Sequence, residues 1–266
     1  MAKVEYETRG RVGIFTLNRP EARNAVNGEV AADFEAALDR FEADPEVWVG
    51  VITATLTGDR PVFSAGADLK AVNTAAGAGI STQKGGFAGF AYREREKPVI
   101  AAVDGLATAG GCEIVLACDL VVASTRSSFG LAEVKRNLVA GAGGLFRLPR
   151  AIGRAAAMEA ILTGEPISAQ RAYELGLVSR LCEPEQSLDT AIALAEQICL
   201  SAPMAVRESR KVVLAADYAD DETLKKMTNG AMAKIMRPPP PARWAVYRGR
   251  AQGERPERQV RRGAAP

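Results

Sequence analysis

Several short segments of this chain are apolar at nearly every position, and this feature limits the folds open to it most strongly. Residues 47–56 read VWVGVITATL, and residues 98–103 and 119–123 are similar. Strands that are buried on both faces have such sequences, whereas strands with one solvated face alternate apolar and polar residues. The segments therefore indicate buried strands at the centre of an α/β core.

Helical periodicity separates these strands and dominates the second half of the chain. Residues 12–17 (VGIFTL) predict a first strand, and apolar residues then recur at helical spacing through residues 29–43. This order indicates parallel strands joined by helices. Further helices are predicted at residues 154–162, 168–175, 188–200, 204–216 and 222–236. For the second of these, Ser168 is the expected N-cap and Gly176 the expected C-cap.

The composition is that of a folded, soluble protein. Hydrophobic residues make up 47% and charged residues 25% of the 266 residues, close to globular averages. No apolar run reaches the ~18 residues of a membrane span, and the first ten residues, MAKVEYETRG, contain no apolar signal core. We therefore expect a cytoplasmic protein with no membrane partner.

The positive charge is concentrated at the end of the chain. Residues 237–266 contain eight arginines, two glutamates and six of the 14 prolines. Binding to nucleic acid needs basic residues on a folded face, interleaved with aromatic residues. A proline-rich terminal segment favours a disordered, solvated tail, so no nucleic-acid partner is expected.

The sequence contains no histidine, which excludes Ser-His-Asp and Cys-His catalysis and HExxH zinc sites. Its four cysteines, at positions 112, 118, 182 and 199, include no CxxC pair, so we interpret them as reduced, buried thiols and expect no metal site. Any chemistry must therefore use carboxylates, lysine, tyrosine, cysteine or the backbone.

The first candidate stretch is FSAGADLK at residues 63–70, where small residues precede Asp68. Small side chains allow a ligand to approach the backbone, so the Ala67 N–H can face a substrate oxygen. The alternative interpretation is an ordinary turn from strand to helix, capped by Asp68.

In the second stretch, GLATAGGCEIVLACD at residues 105–119, a pair of glycines leads into an apolar helix. The Gly110 N–H is then an unpaired donor at the helix N-terminus, where negative charge is stabilised. Glu113 lies in the first turn. It can stabilise the helix dipole, but a carboxylate among apolar residues also needs a partner or a chemical role.

The third stretch contains Glu133 in SFGLAEVKR at residues 128–136, followed by AGAGG at residues 140–144. Taken alone, Glu133 is interpreted as a surface acid paired with Lys135 or Arg136. The glycines do not form a dinucleotide fingerprint, because GxGxxG would need glycine where Phe146 stands and no strand directly precedes them.

Taken together, these stretches resemble the enoyl-CoA hydratase/isomerase (crotonase) family over about residues 3–236. The similarity rests on five segments in the expected order, which are NRPEARNAVN (18–27), FSAGADLK (63–70), ATAGGCEIVLACD (107–119), FGLAEVKRNLVAGAGGLFRLPRAIG (129–153) and LTGEPISAQRAYELGLVSRL (162–181). The resemblance implies a spiral core of repeated β-β-α units at residues 1–190 and a helical trimerisation region at residues 191–236, ahead of the tail. It also implies homotrimers, often paired into hexamers.

The resemblance also assigns roles to individual residues. Glu113 and Glu133 match the two catalytic glutamates, and the N–H groups of Ala67 and Gly110 match the oxyanion hole for the thioester oxygen. The residues implied to bind CoA are Arg23, Ala25, Ala65, Asp68, Leu69 and Lys70. CoA is part of the substrate, so no cofactor is expected.

Retention of both glutamates favours the hydration of a 2-enoyl-CoA thioester, or the reverse dehydration. The alternatives are an enoyl-CoA isomerase, a carnitinyl-CoA dehydratase-like lyase and, in another class, a non-catalytic acyl-CoA-binding protein. Ala132 stands where short-chain hydratases usually have proline, and Asn137 stands where relatives commonly have glycine. Both departures lie next to Glu133.

Overall fold

The apolar segments form the centre of a six-stranded sheet. The structure, a computed structural model, describes residues 2–72 and 79–236. Its strands are β1 (Val4–Arg9), β2 (Val12–Leu17), β3 (Val49–Ala54), β4 (Val62–Ser64), β5 (Ser81–Thr82), β6 (Gly86–Phe87), β7 (Val99–Val103), β8 (Leu106–Thr108), β9 (Leu120–Ser124), β10 (Ser128–Gly130), β11 (Ile167–Ser168) and β12 (Arg180–Cys182). Its helices are α1 (Gly28–Ala43), α2 (Leu69–Val72), α3 (Gly110–Leu116), α4 (Gly144–Ile152), α5 (Arg154–Thr163), α6 (Ala169–Glu174), α7 (Ser187–Cys199), α8 (Pro203–Ala215) and α9 (Asp221–Met236).

The larger sheet has the strand order β1-β2-β3-β7-β9-β12. From β2 to β12 all neighbours are parallel, while β1 pairs antiparallel with β2 in a register that runs from Val4 opposite Leu17 to Arg9 opposite Val12. The predicted α/β core with parallel strands is therefore confirmed.

The smaller sheet, in the order β11-β10-β8-β4, shows how the chain winds. Each of the pairs β3–β4, β7–β8 and β9–β10 places its first strand in the larger sheet and its second in the smaller one. After these pairs come α2, α3 and a 3₁₀ turn (Glu133–Arg136) that precedes α4. Parallel neighbours in both sheets make each β-β-α unit one turn of a spiral, which confirms the predicted fold.

Both faces of the larger sheet are covered, which explains its uninterrupted apolar runs. In β7, the side chains of Val99, Ala101 and Val103 lie in the main core, whereas Ile100 and Ala102 pack in a second core on the other face. Successive side chains of a strand point to opposite faces, so both sets must be apolar. Helix α7 covers the second face through two buried alanines.

The helix ends agree with the capping signals, with one correction. The Ser168 side chain accepts a hydrogen bond from the Arg171 N–H, as an N-cap does. Helix α6 ends at Glu174 and its C-cap is Leu175, so the expectation that Gly176 is the C-cap was wrong by one residue. Gly176 follows with φ +89°, in the left-handed region that glycine reaches without steric cost.

The chain divides into two compact units, Met1–Tyr218 and Ala219–Pro266. Helix α7 packs against the larger sheet, so the first unit extends beyond the boundary expected at residue 190. In the second unit, residues 219–236 are described and include α9, while the predicted tail at residues 237–266 lies outside the described residues. No helix in the described ranges is long and apolar enough to cross a membrane.

Glycines bring the loop after β4 into backbone contact with the start of α3. A Cβ placed on Gly66, which has φ +83°, would lie 2.6 Å from the Gly110 nitrogen, and one on Gly111 would overlap the Ser64 carbonyl oxygen. Only glycine permits such close approach. These contacts set the separation between the two segments that carry Ala67 and Gly110.

Gly111→Ala tests this packing. Helix propensity alone favours alanine, but overlap with the Ser64 backbone should lower the free energy of unfolding by about 1–3 kcal/mol or more. Gly28→Ala is the matched control, because a Cβ there makes only ordinary contact, 3.6 Å from the Gly79 Cα. Urea denaturation measures both, and equal stability of the two variants would contradict the proposed tight packing.

Candidate active site

One cavity of about 980 Å³ contains every residue that the sequence predicts for the site. Its lining includes Arg23, Ala25, Ala65, Ala67, Asp68, Leu69, Lys70, Gly110, Glu113 and Glu133. The first seven come from the loop after β2 and the segment after β4, and the others come from α3 and the 3₁₀ turn. The spiral therefore brings together four segments that are separate in sequence.

The backbone N–H groups of Ala67 and Gly110 lie at this cavity without protein acceptors. Val26 donates to the Gly66 carbonyl at 2.7 Å and accepts from the Asp68 N–H at 2.9 Å, a parallel bridge that turns the Ala67 N–H away from Val26. Gly110 is the first residue of α3. Within residues 2–72 and 79–236 neither N–H has a hydrogen-bond acceptor. Both are available to a ligand oxygen.

Glu113 is a buried carboxylate that is held by the glycine-rich loop. Only 3% of the residue is exposed, and its Oε1 accepts hydrogen bonds from the Ala142 N–H at 2.7 Å and the Gly144 N–H at 2.9 Å. Burial raises the pKa of this carboxyl, while the two N–H donors and the charge of Arg147 oppose that rise. Because both bonds use Oε1, Oε2 is left for a ligand in the cavity.

The function of the AGAGG segment is therefore to supply backbone donors to Glu113, a role that its sequence did not reveal. The recognisable signal was a run of small residues whose amides can approach a carboxylate closely. What only the structure shows is that these amides belong to Glu113, 29 and 31 residues away in sequence.

Glu133 lies in a different environment. Its Oε2 is buried and has no hydrogen-bond partner among the described residues. Burial, together with the negative charge of Glu113 and against the effect of its own backbone N–H, raises the pKa of Glu133 to about 7. At neutral pH a substantial fraction of the Glu133 carboxyl is therefore protonated. Protonation of Glu113, in contrast, would weaken the two hydrogen bonds that it accepts from backbone N–H groups, because these donors favour the charged form.

The interpretation of Glu133 as an ion-paired surface acid was wrong. Lys135 instead pairs with Glu165 at 2.6 Å, and no ion pair joins Glu133 to Lys135 or Arg136 in the part of the chain that the structure describes. The 3₁₀ turn directs Glu133 into the cavity, while Lys135 lies on the outside.

On the side of the cavity expected to bind CoA, Asp68 has mainly a structural role. Its Oδ2 pairs with Arg19 at 2.7 Å, and its Oδ1 accepts from the Lys70 N–H at 3.0 Å at the start of α2. Arg19 also donates to the Ala25 carbonyl at 3.0 Å. The turn-and-cap interpretation of Asp68 is therefore confirmed. Arg23 and Lys70 are two exposed cations on this side.

Sequence reasoning missed the apolar wall of the cavity. Its members include Ile80, Phe87, Tyr92, Leu138 and Val139, and Tyr92 also donates from its hydroxyl to the Gly141 carbonyl at 2.9 Å. Phe87 lies in β6, Ile80 and Tyr92 lie in the segments before β5 and after β6, and the others lie in the loop before α4, so no local periodicity marks them.

Next to this wall, Asn137 adopts φ +56° at the end of the 3₁₀ turn. This left-handed backbone explains why asparagine can replace glycine there.

Across the described ranges, no group of three or more Cys, Asp or Glu side chains could hold a metal ion.

Comparisons with known proteins agree on the family. A family model for enoyl-CoA hydratase/isomerase matches residues 7–234. The chain is 37% identical to the short-chain-enoyl-CoA hydratase of Clostridium acetobutylicum, over 82% of this chain and 83% of that protein. Enoyl-CoA hydratase from Mycobacterium tuberculosis H37Rv has a TM-score of 0.84 at 39% identity, covering 94% of this chain and 97% of that one. A carnitinyl-CoA dehydratase from Mycobacterium avium 104 has a TM-score of 0.74 at 41% identity, covering 88% and 91%.

The raised pKa of Glu133 predicts a pH-dependent effect on stability. The folded-state pKa of Glu133 lies near 7, above the ordinary 4.5. The contribution of this group to the free energy of unfolding is therefore complete below pH 4.5 and is lost as the pH rises through 7. Glu133→Gln does not titrate and should therefore raise the Tm relative to the parent protein more at pH 8 than at pH 4.5. Thermal unfolding at the two pH values measures this difference.

Glu159→Gln serves as the control, because Glu159 is an exposed glutamate on α5. Its effect on the Tm should be the same at both pH values. A Glu133→Gln effect that is equally independent of pH would contradict the raised pKa.

Proposed function

The chain belongs to the enoyl-CoA hydratase/isomerase family, and we propose that it adds water to the double bond of a 2-enoyl-CoA thioester or catalyses the reverse dehydration. The observation that carries this proposal is the pairing of two differently held carboxyls with two free backbone N–H groups in one cavity. Its similarity to the enoyl-CoA hydratases named above supports the same reaction.

In this proposal the thioester carbonyl oxygen accepts hydrogen bonds from the Ala67 and Gly110 N–H groups. Addition at the β-carbon gives an enolate, whose charge develops on that oxygen. Donors already in place at that position need no reorganisation, and the loss of one such donor costs about 3 kcal/mol in comparable sites. The free N–H groups thus make the α,β-double bond electrophilic.

The two glutamates divide the proton transfers. Glu113, held as an ionised acceptor, removes a proton from a water molecule while the water oxygen bonds to the β-carbon. Glu133, which is partly protonated at neutral pH, donates its proton to the α-carbon, and the enolate electron pair forms the new C–H bond. A proton then returns from Glu113 to Glu133 through solvent, which restores both groups. With both carboxyls on one face of the substrate, the addition is syn.

Substrate orientation follows from the charges along the cavity. We place the CoA nucleotide near Arg23 and Ala25, with Lys70 available to a phosphate and the pantetheine arm along Ala65 and Leu69. The acyl chain then meets the apolar wall with Phe87 and Tyr92. CoA is part of the substrate, and hydration changes no overall oxidation state, so the reaction requires no redox cofactor.

Carnitinyl-CoA dehydration is the nearest alternative. The 41% identity to a carnitinyl-CoA dehydratase supports it, and it would use the same two acids in the reverse direction. An isomerase moves a proton between two carbons and needs one principal acid–base group. The retention of two carboxyls, one with two backbone donors and one partly protonated at neutral pH, therefore favours hydration or dehydration.

Glu113→Gln and Glu133→Gln should each lower kcat for crotonyl-CoA hydration by ~10²–10⁴-fold, because each removes one positioned proton-transfer group. The effects should not be additive, since both groups serve one transition state. Loss of the enoyl absorbance at saturating substrate measures kcat, and isothermal titration with a non-reactive acyl-CoA should show retained binding.

The alternatives give different results. An isomerase would lose conversion of a 3-enoyl-CoA in one variant and retain it in the other. An acyl-CoA-binding protein would bind the thioester but hydrate no enoyl-CoA, even as the parent protein. If both variants keep kcat within tenfold of the parent protein, well inside that ~10²–10⁴ range, the two-glutamate mechanism is wrong.

We also propose that the protein assembles as a homotrimer or a hexamer through its helical region. In the first compact unit, Leu200, Val213, Leu214 and Tyr218 leave between 43% and 76% of their surfaces exposed. Exposed apolar clusters on helices often mark interfaces between subunits. Light scattering at micromolar concentration should give three or six times the monomer mass, and a monomeric mass would contradict the proposal.

A further inference from the structure

Arg147, on α4, connects two walls of the cavity without lining it. One terminal nitrogen of its guanidinium donates to the Ala142 carbonyl at 2.9 Å, and the other donates to the Ala91 carbonyl at 2.6 Å. The guanidinium carbon also lies 5.3 Å from the centre of the Tyr92 ring. The two acceptors are 51 residues apart in sequence and belong to two different segments of the chain.

The first of these bonds acts on the support of Glu113. Ala142 accepts from Arg147 through its carbonyl and donates through its N–H to Glu113 Oε1 at 2.7 Å. Gly143, the next residue, has φ +106°. Because glycine populates many other backbone conformations, the loop has little intrinsic preference for this shape. Arg147 therefore holds in place a loop that must present two N–H groups to one oxygen.

The second bond acts on the apolar wall of the cavity. Ala91 directly precedes Tyr92, whose hydroxyl donates to the Gly141 carbonyl at 2.9 Å. The segment around Tyr92 and the loop at residues 141–144 are thus joined twice, once by Arg147 and once by Tyr92. Movement of either wall would be transmitted to the carboxylate of Glu113.

We propose that Arg147 is a positioning residue for the hydration reaction, which fixes the loop that holds Glu113 and keeps that carboxylate ionised for proton abstraction. The inference rests on the proposed function. No contact between Arg147 and substrate is required, since Arg147 acts through the Ala142 carbonyl and through its own charge.

Electrostatics support this role. The groups that face Glu113 are Glu133 from the 3₁₀ turn, the neighbouring Cys112 thiol on α3 and Arg147 from α4. The protonated form of Glu133 carries no charge. Burial raises the pKa of the Cys112 thiol, so this group stays neutral. Arg147 is then the cation that lowers the pKa of Glu113 against the effect of burial.

Two substitutions separate geometry from charge. Arg147→Gln removes the charge and the two-pronged donor, so kcat for crotonyl-CoA should fall by about 10²-fold, and the acid limb of the pH–kcat profile should move to higher pH. Arg147→Lys keeps the charge but cannot span both carbonyls, so kcat should fall while the acid limb stays where it is in the parent protein. KM should change little in either variant.

Arg150→Gln is the matched control. Arg150 lies one turn further along α4, is exposed and stacks over the same Phe146 ring as Arg147 at 5.3 Å. The loss of its charge should leave both kcat and the acid limb unchanged. Thermal unfolding of all three variants should show folded protein at the assay temperature.

A second readout is independent of turnover. Carbon-13 NMR of the glutamate side-chain carboxyls, with Glu113→Gln to assign the signal, should show Glu113 titrating at higher pH in Arg147→Gln than in the parent protein. If the parent hydrates no enoyl-CoA, the proposed function fails, and this titration still tests the role of Arg147. The inference is overturned if Arg147→Gln retains the parent kcat and acid limb, or if Glu113 titrates identically in both proteins.

Discussion

The burial of one carboxylate, Glu113, is the constraint on which most of the site depends. A charge in an apolar helix is costly unless donors replace the lost water. The chain meets this need with the N–H groups of Ala142 and Gly144, which requires a loop that lacks bulky side chains and adopts left-handed backbone angles at Gly143. The position of α4, and with it Arg147, follows from the same requirement.

The second carboxyl, that of Glu133, differs from Glu113 because its buried oxygen has no hydrogen-bond donor. The Oε2 of Glu133 is buried without a donor, and burial raises the pKa of this carboxyl to about 7, while Glu113 has two donors to a single oxygen. Two identical side chains thus have different environments: burial leaves Glu133 partly protonated at neutral pH, whereas two backbone donors stabilise the ionised form of Glu113. The addition of water across a polarised double bond requires that combination of a base and an acid.

Close backbone packing places the oxyanion donors. Gly66 and Gly111 allow the loop after β4 to lie against the start of α3, which brings Ala67 and Gly110 to one cavity. The strand order supports this contact, because β4 and β8 are parallel neighbours in the smaller sheet and their following segments leave the sheet at the same edge. The sheet therefore determines the direction of the catalytic segments, and the glycines determine how closely they approach.

Much of this could be predicted from the sequence, because local patterns reflect local physics. Runs that are apolar at every position, as in residues 98–103, predict strands buried on both faces, and the Ser168 cap is readable from residue type alone. The resemblance of the motifs also identified Glu113, Glu133, Ala67 and Gly110. Only the tertiary structure decided which amides bind Glu113, that Lys135 pairs with Glu165 instead of Glu133, and that Arg147 joins two walls. Those choices depend on contacts between residues distant in sequence, whose distances and burial arise only when the spiral closes.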